Sequence, residues 1–390
     1  MIEPVRARIL TPEWAPTVIP APYDSLTADE QAQHLADNPD SFAHVAGSPP
    51  ESFGHPTEHL HHATRSTKAL ERLIGLGAFG TEQDPRLYVQ RVEADGHTQH
   101  ALLGSVRLEE HELRPHEDTQ PARVHGLAMH FNEVGRMSSP VVLTSPRPVA
   151  VTEVIEATVA AAEADPPLPA VLDTKTVDGA RVTLWRAVTT AASTGVAVEG
   201  PLYIVDGHHR IAAARQANFR RVLVACAPPA ELHLGSFDRT LDELDIMPRR
   251  VAELLSARCD VTEVADAREA RPAQSGSIGI GVADHWFRAE RHESDAVSLG
   301  EARLTSAADL DAAFVHDFVL TDVFGVTSPS DPRLSYRPTT VAAAYTPVTI
   351  MLAPVRLDAV FGVADFGGVM PPKTTYFLPK ARSGLLLVRC

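Results

Sequence analysis

The stretch that most constrains this chain is Leu202-Tyr203-Ile204-Val205-Asp206-Gly207-His208-His209-Arg210-Ile211-Ala212-Ala213-Ala214-Arg215. A short apolar run predicts a buried strand over 202–205. Asp-Gly ends it, and the alanine-rich segment that follows predicts a helix over 208–217 that stops at Asn218. A second apolar run, Val222–Ala227, predicts the next strand. Strand, helix and strand in succession predict an α/β fold class.

The turn between strand and helix carries chemistry that the fold alone does not require. The first turn of a helix exposes N–H groups with no intrahelical acceptor and about half a positive charge, so it attracts phosphate. Gly207 lets a ligand approach the backbone closely, and Arg210 can clamp phosphate oxygens in a bidentate pair. Asp206, at the strand end, can hold Mg²⁺ or accept a proton. Its bland reading is a helix N-cap. His208 and His209 are adjacent and point about 100° apart on a helix, so they do not chelate one metal ion. Hydrogen bonding to phosphate and proton management near neutral pH suit them better.

Further along the chain, Leu87–Val92 and Ala101–Leu108 flank Asp95-Gly96 and predict a hairpin. Pro49–His62 reads as a surface loop entering a helix over 65–76, with His55, His59 and His62 as a solvated face. Thr152 reads as the N-cap of a helix ending before Pro166-Pro167, and Asp178-Gly179 introduces a strand over 182–187. Beyond residue 245 a second α/β portion is expected. Its strands are at 276–282 and 348–352, its helices at 307–320 and 355–363, and the acidic, Arg-rich region 242–271 is the boundary. The expected domains are therefore 1–245 and 246–390. Trp185 and Trp286 lie in apolar runs and read as core.

A formal net charge of −15 argues against nucleic acid as a partner, because phosphate backbones need basic surfaces. It leaves room for a small anion in a local basic pocket. The three cysteines, Cys226, Cys259 and Cys390, form no CxxC motif, which fits a reducing compartment. The first residues lack a signal-peptide pattern, and no apolar run approaches the roughly 18 residues of a membrane span. A cytoplasmic protein with no membrane partner is expected.

Several motifs together resemble a large bacterial and archaeal family labelled as a domain of unknown function, related to the ParB/sulfiredoxin-like fold and to free-serine kinases. They are Pro20-Ala21-Pro22-Tyr23-Asp24, Asn38-Pro39-Asp40-Ser41-Phe42, His116-Glu117-Asp118-Thr119, Asp206–Arg210, and Met370-Pro371-Pro372-Lys373-Thr374-Thr375-Tyr376-Phe377-Leu378-Pro379-Lys380. Where sulfiredoxins carry a catalytic cysteine after the glycine, this chain has His208, so thiol chemistry is not expected. Gly207 to Arg210 keeps the Gly-x-x-Arg spacing with which ParB-type proteins bind a nucleoside triphosphate. The free-serine kinases have an Asp-Gly-His-His-Arg of their own.

The resemblance implies a ParB/sulfiredoxin-like nucleotide-binding core and phosphoryl transfer from ATP or ADP, with Mg²⁺, to the hydroxyl of a free amino acid, L-serine first. It implies Asp206, His208, His209 and Glu117 as catalytic candidates, with Asp206 as the metal ligand. Gly207, His209, Arg210, Lys373, His116 and Thr119 are the implied cofactor-binding residues. Taken alone, His116–Thr119 would be a capping cluster opening a helix, Lys373 a loop lysine, Lys380 a surface salt bridge, and Tyr23-Asp24 a turn or a substrate wall. The family's usual Asp-Arg pair past the His-Glu element is replaced by Val124-His125-Gly126-Leu127. The alternatives are a nucleotide hydrolase and a nucleotide-gated binding protein without turnover.

Overall fold

A computed structural model describes residues 1–22, 26–46, 56–190, 194–242, 246–292, 306–329, 331–339 and 347–389. Tyr23, Asp24 and His55 lie outside the described residues. The fold is mixed α/β, and the chain divides into two compact units. Unit 1 comprises Met1–Arg114, Thr119–His233 and Leu378–Cys390; unit 2 comprises Pro115–Asp118 and Leu234–Phe377.

In unit 1, β1 (Ala7–Leu10) pairs antiparallel with β2 (Phe79–Thr81) on one side and with Leu386–Val388, from the end of the chain, on the other. The larger sheet contains β3 (Tyr88–Ala94), β4 (His97–Arg107), β5 (Leu113–Arg114), β6 (Val141–Thr144), β7 (Leu172–Lys175), β8 (Arg181–Arg186), β9 (Leu202–Asp206) and β10 (Arg221–Cys226). Their order across the sheet is β5-β9-β6-β10-β4-β3-β8-β7. The hairpin of β3 and β4 turns at Asp95 and Gly96, both at positive φ (53° and 76°), the conformation that Asp-Gly supplies most readily. β9 is antiparallel to β6, and β6 is parallel to β10. The strand–helix–strand element read from sequence is therefore not a parallel crossover. Its two strands run in opposite directions with β6 between them.

Four helices of unit 1 matter below: α1 (Pro56–Gly75), α2 (Pro121–Val134), α3 (Val149–Glu163) and α4 (His208–Gln216). Two depart from the sequence expectation. α1 starts nine residues earlier than expected, at a proline, whose missing N–H costs nothing in a first turn. His59 consequently falls on its buried side, 7% exposed and edge-on to His125, and is not part of a solvated face. Thr152 is not the cap of α3, since the helix already begins at Val149. Its hydroxyl donates instead to the carbonyl of Pro148, four residues back.

Unit 2 is built on a six-stranded sheet in the order Cys259–Val264, His285–Arg291, Ser277–Val282, Val348–Leu352, Phe237–Leu241 and Leu334–Pro338. Every pairing in it is antiparallel. The helix expected over 307–320 is a short 3₁₀ turn, one α turn (Asp311–Phe314) and a π-helical run to Val323. Val315, Val319 and Leu320 of that run pack into the core with Val251, Leu255, Ile278, Ile280, Val348 and Ile350. Within 242–271 the described residues form the helix Pro248–Leu255 and the sheet strand Cys259–Val264, so much of that region is folded core. Trp185 is buried, whereas Trp286 is half-buried, its ring lying over the backbone of Gly281. Among the described residues no helix is long and apolar enough to cross a membrane.

The N-terminal segment docks on β4, where Glu3 and Ser105 exchange backbone hydrogen bonds of 2.8 Å in each direction. This close approach requires Gly104. A Cβ there would lie 2.6 Å from Ile2, 2.7 Å from the Glu3 carbonyl and 2.8 Å from Leu87. Gly104→Ala is therefore expected to destabilise the protein by about 1–3 kcal/mol, read by urea unfolding. An unchanged midpoint would mean that the N-terminal segment does not pack there.

Candidate functional site

β9 delivers Asp206 to the edge of the turn, and Gly207 makes the turn with φ 102°, a left-handed conformation that favours glycine. α4 follows at once, its first intrahelical bond running from the Ile211 N–H to the Gly207 carbonyl. The N–H groups of His208, His209 and Arg210 occupy the first turn, which has no intrahelical acceptors. Gly207 is also a steric necessity. A Cβ on it would lie 2.9 Å from Arg210 Nε, because the guanidinium folds back over the turn.

The cap residue is Gly207, and no side chain caps the helix, so Asp206 is not the N-cap. Its carboxylate is shared by two cations. Oδ2 accepts from Arg210 Nη2, and Oδ1 accepts from Lys380 Nζ at 3.2 Å. Arg210 Nη1 also donates to the Pro140 carbonyl at 2.5 Å, just before β6. Burial by itself would raise the Asp206 pKa. Lys380 and Arg210 outweigh it and hold the carboxylate well below the usual range. Lys380 is not a surface residue: its side chain is only 13% exposed. The salt bridge expected for it at the surface forms, but to Asp206 and away from solvent. Two cations, one carboxylate and the positive end of a helix leave a local excess of positive charge in a chain of net −15.

His208 is buried, and burial pushes its pKa down to about 4, with Asp206 pulling the other way. It is therefore neutral at pH 7. His209 Nε2 accepts the backbone N–H of Gln120 at 3.1 Å, which assigns the ring proton to Nδ1. Gln120 is the cap residue of α2, so this bond links the starts of two helices. Thr119, half-buried, precedes it.

His116, Glu117 and Lys373 belong to unit 2. His116–Thr119 does not open a helix. α2 starts only at Pro121, and Glu117 instead pairs as a parallel bridge with Met370, beside a 2.8 Å bond from the Met370 N–H to the His116 carbonyl. The Thr375 hydroxyl donates to Glu117 Oε1 at 3.1 Å, so the 3.2 Å contact between Thr375 Oγ1 and His116 Nε2 is donated by the histidine. The fold thus joins two sequence motifs more than 250 residues apart. Lys373 is exposed, at φ 59°, with its ammonium 4.9 Å from the centre of the Phe237 ring.

Among the described residues no group of three His, Cys, Asp or Glu side chains could hold a metal ion. Asp206 keeps lone pairs beyond those used by Arg210 and Lys380. This donor set fits Mg²⁺ that arrives with a phosphate ligand, for which one carboxylate suffices, and not a resident ion.

Two measurements test this geometry. Gly207→Ala is expected to cost about 1–3 kcal/mol in chemical unfolding, since it forces a side chain into left-handed backbone and displaces Arg210; wild-type stability would refute the turn. His208 and His130, both pushed down to about 4 by burial, set a pH dependence. Between pH 6.5 and about 4 the unfolded chain binds protons at these rings and the folded chain does not, so stability rises with pH across that window. Each ring contributes up to roughly 3 kcal/mol, and His208→Gln should flatten the slope. An identical slope in the variant would show that His208 is not buried neutral.

Comparison with known proteins adds family membership. Among solved structures, the chain is similar to SbnI with a C-terminal truncation from Staphylococcus aureus at 13% identity and TM-score 0.42, covering 74% of this chain and 87% of that one. A free serine kinase mutant in complex with ADP aligns at 12% identity and TM-score 0.39, over 73% of this chain and 91% of the other. A conserved hypothetical protein from Pyrococcus furiosus aligns at 13% identity and TM-score 0.35, over 72% and 93%. No curated protein sequence matches the chain. A family profile matches residues 2–313, most of the sequence, and the chain belongs to that family, described as protein of unknown function (DUF1015).

Proposed function

We propose that this protein is a small-molecule kinase that moves a phosphoryl group from ATP or ADP to the hydroxyl of a free amino acid, L-serine first. The observation that carries the reading is the pair of cations, Arg210 and Lys380, held on Asp206 beside the start of α4. Phosphoryl transfer requires positioning and charge neutralisation more than covalent help from the protein. Cations already fixed on a carboxylate reorganise little when phosphate arrives. The Gly207-to-Arg210 spacing and the Asp-Gly-His-His-Arg sequence, which resemble those of ParB-type proteins and free-serine kinases, support the same reading and a ParB/sulfiredoxin-like core.

In the proposed reaction the first-turn N–H groups, Arg210 and Lys380 bind the transferring phosphate, and His209 adds a donor through Nδ1. Asp206 would hold Mg²⁺, which would supply charge neutralisation to the phosphates. The substrate oxygen bonds to the terminal phosphorus, the bond to the leaving nucleotide oxygen breaks, and the hydroxyl proton passes to a base. Asp206, with its depressed pKa, is a poor proton acceptor. Glu117, which the family resemblance singles out, is the carboxylate to test first. The same engagement of both Asp206 oxygens favours, as a second reading, a nucleotide-gated binding protein without turnover.

Calorimetry with ATP and ADP should give binding that weakens on the order of 10- to 100-fold in Arg210→Ala and in Lys380→Met. Incubation with nucleotide, Mg²⁺ and a panel of hydroxyl amino acids, followed by mass spectrometry, should yield phosphoserine. Glu117→Gln should lower its formation by about 100-fold or more, and Asp206→Asn, which loosens Arg210 and Lys380, should lower it as well. Nucleotide binding with no phosphorylated product would leave the gated-binding reading. No nucleotide binding by the folded wild type would end both.

A further inference from the structure

Unit 2 contains a cavity of about 500 Å³ whose lining includes Ser236, Arg239, Asp311, Arg356, Asp358 and Thr374. Arg239 sets its character. The residue is 3% exposed, and its guanidinium donates to the backbone carbonyls of Phe237, at 2.7 Å, and Lys373, at 3.3 Å. Its centre lies 5.7 Å from the Tyr336 ring. Among the described residues no carboxylate pairs with it, because each neighbouring one is already engaged. Asp238 is held by Arg271 through two bonds of 3.1 and 2.7 Å. Asp311 is paired with Arg291 at 2.9 Å and accepts the Gly276 N–H at 2.9 Å. Asp358 is bound by Arg356 at 2.6 Å.

A buried cation with no carboxylate in contact is poorly compensated. Burial pushes the Arg239 pKa down to about 10, although Tyr336 and Asp238 pull the other way. The start of the helix Leu357–Asp365 lines the same cavity and adds a partial positive charge. The hydroxyls of Ser236 and Thr374 donate to the carbonyls of Leu352 (2.8 Å) and Pro371 (2.6 Å), so each oxygen retains acceptor capacity for a donor on a ligand.

We propose that this cavity binds a small organic oxyanion, a carboxylate or a phosphate ester, that also bears a hydroxyl or amine donor. The oxyanion supplies the contacting negative charge that no carboxylate gives Arg239, and the donor faces Ser236 and Thr374. The site lies wholly in unit 2 and does not rest on the nucleotide reading above.

Thermal melts and calorimetry with glycolate and with glycerol phosphate, each against chloride at equal ionic strength, test this. At least one of the two should stabilise the wild type, and which one does so identifies the oxyanion. Arg239→Met should weaken that ligand on the order of 10- to 100-fold. Ala273 lies on the exposed rim of the cavity, so Ala273→Trp should keep the ligand-free melt and block entry. This second variant decides the matter if Arg239→Met does not fold. Stabilisation by neither ligand would overturn the proposal. So would stabilisation that survives Ala273→Trp, since the anion would then be bound elsewhere on the chain.

Discussion

The carboxylate of Asp206 ties together three parts of unit 1 that are distant in sequence. It ends β9, receives Arg210 from the first turn of α4, and receives Lys380 from the segment that returns to the unit at Leu378. Each partner explains another feature. Arg210 reaches back only because Gly207 has no Cβ, and it also bonds to the carbonyl that leads into β6. Lys380 can approach only because the last residues of the chain rejoin the unit that the first residues began, with Leu386–Val388 paired to β1. Two cations are held together here because both are attracted to one carboxylate, each through its own oxygen. The remaining positive charge, beside the first-turn N–H groups of the helix, is what a phosphate would meet.

Arg239 is balanced differently. At Asp206 each cation has a carboxylate oxygen, whereas Arg239 contacts carbonyl dipoles and an aromatic ring, and Asp238 acts on it only through space. Partial charges satisfy the geometry of a guanidinium without cancelling its charge. That difference separates a preorganised ion-pair cluster from a buried cation that retains a use for an anion. Both occur in a chain whose overall charge is strongly negative. Net charge therefore describes the average surface and says little about particular pockets.

Local chemistry made much of this protein legible in the sequence: the Asp95-Gly96 hairpin, the β9–Gly207–α4 element, the strand at Val222, and the strands near 276 and 348. Turn residues and apolar periodicity decide such elements over a few residues. The same local logic failed where a proline or threonine has more than one use. Pro56 opens α1 well before the expected start, and Thr152 bonds back to Pro148 inside α3. It failed again at His116–Thr119, where Glu117 bridges to Met370 and the helix starts only at Pro121.

The sequence alone determined the α/β class, the strand–turn–helix at Asp206–Arg210 and the family motifs, because these rest on interactions within about ten residues. Tertiary structure decided which groups meet: Lys380 with Asp206, Thr375 with His116 and Glu117, and Asp238 with Arg271, which leaves Arg239 with no carboxylate. Such pairings span up to more than 250 residues and depend on how the strands are ordered in a sheet. Hydrophobic periodicity fixes that a strand exists and which face is buried, but it does not specify the strand's neighbours.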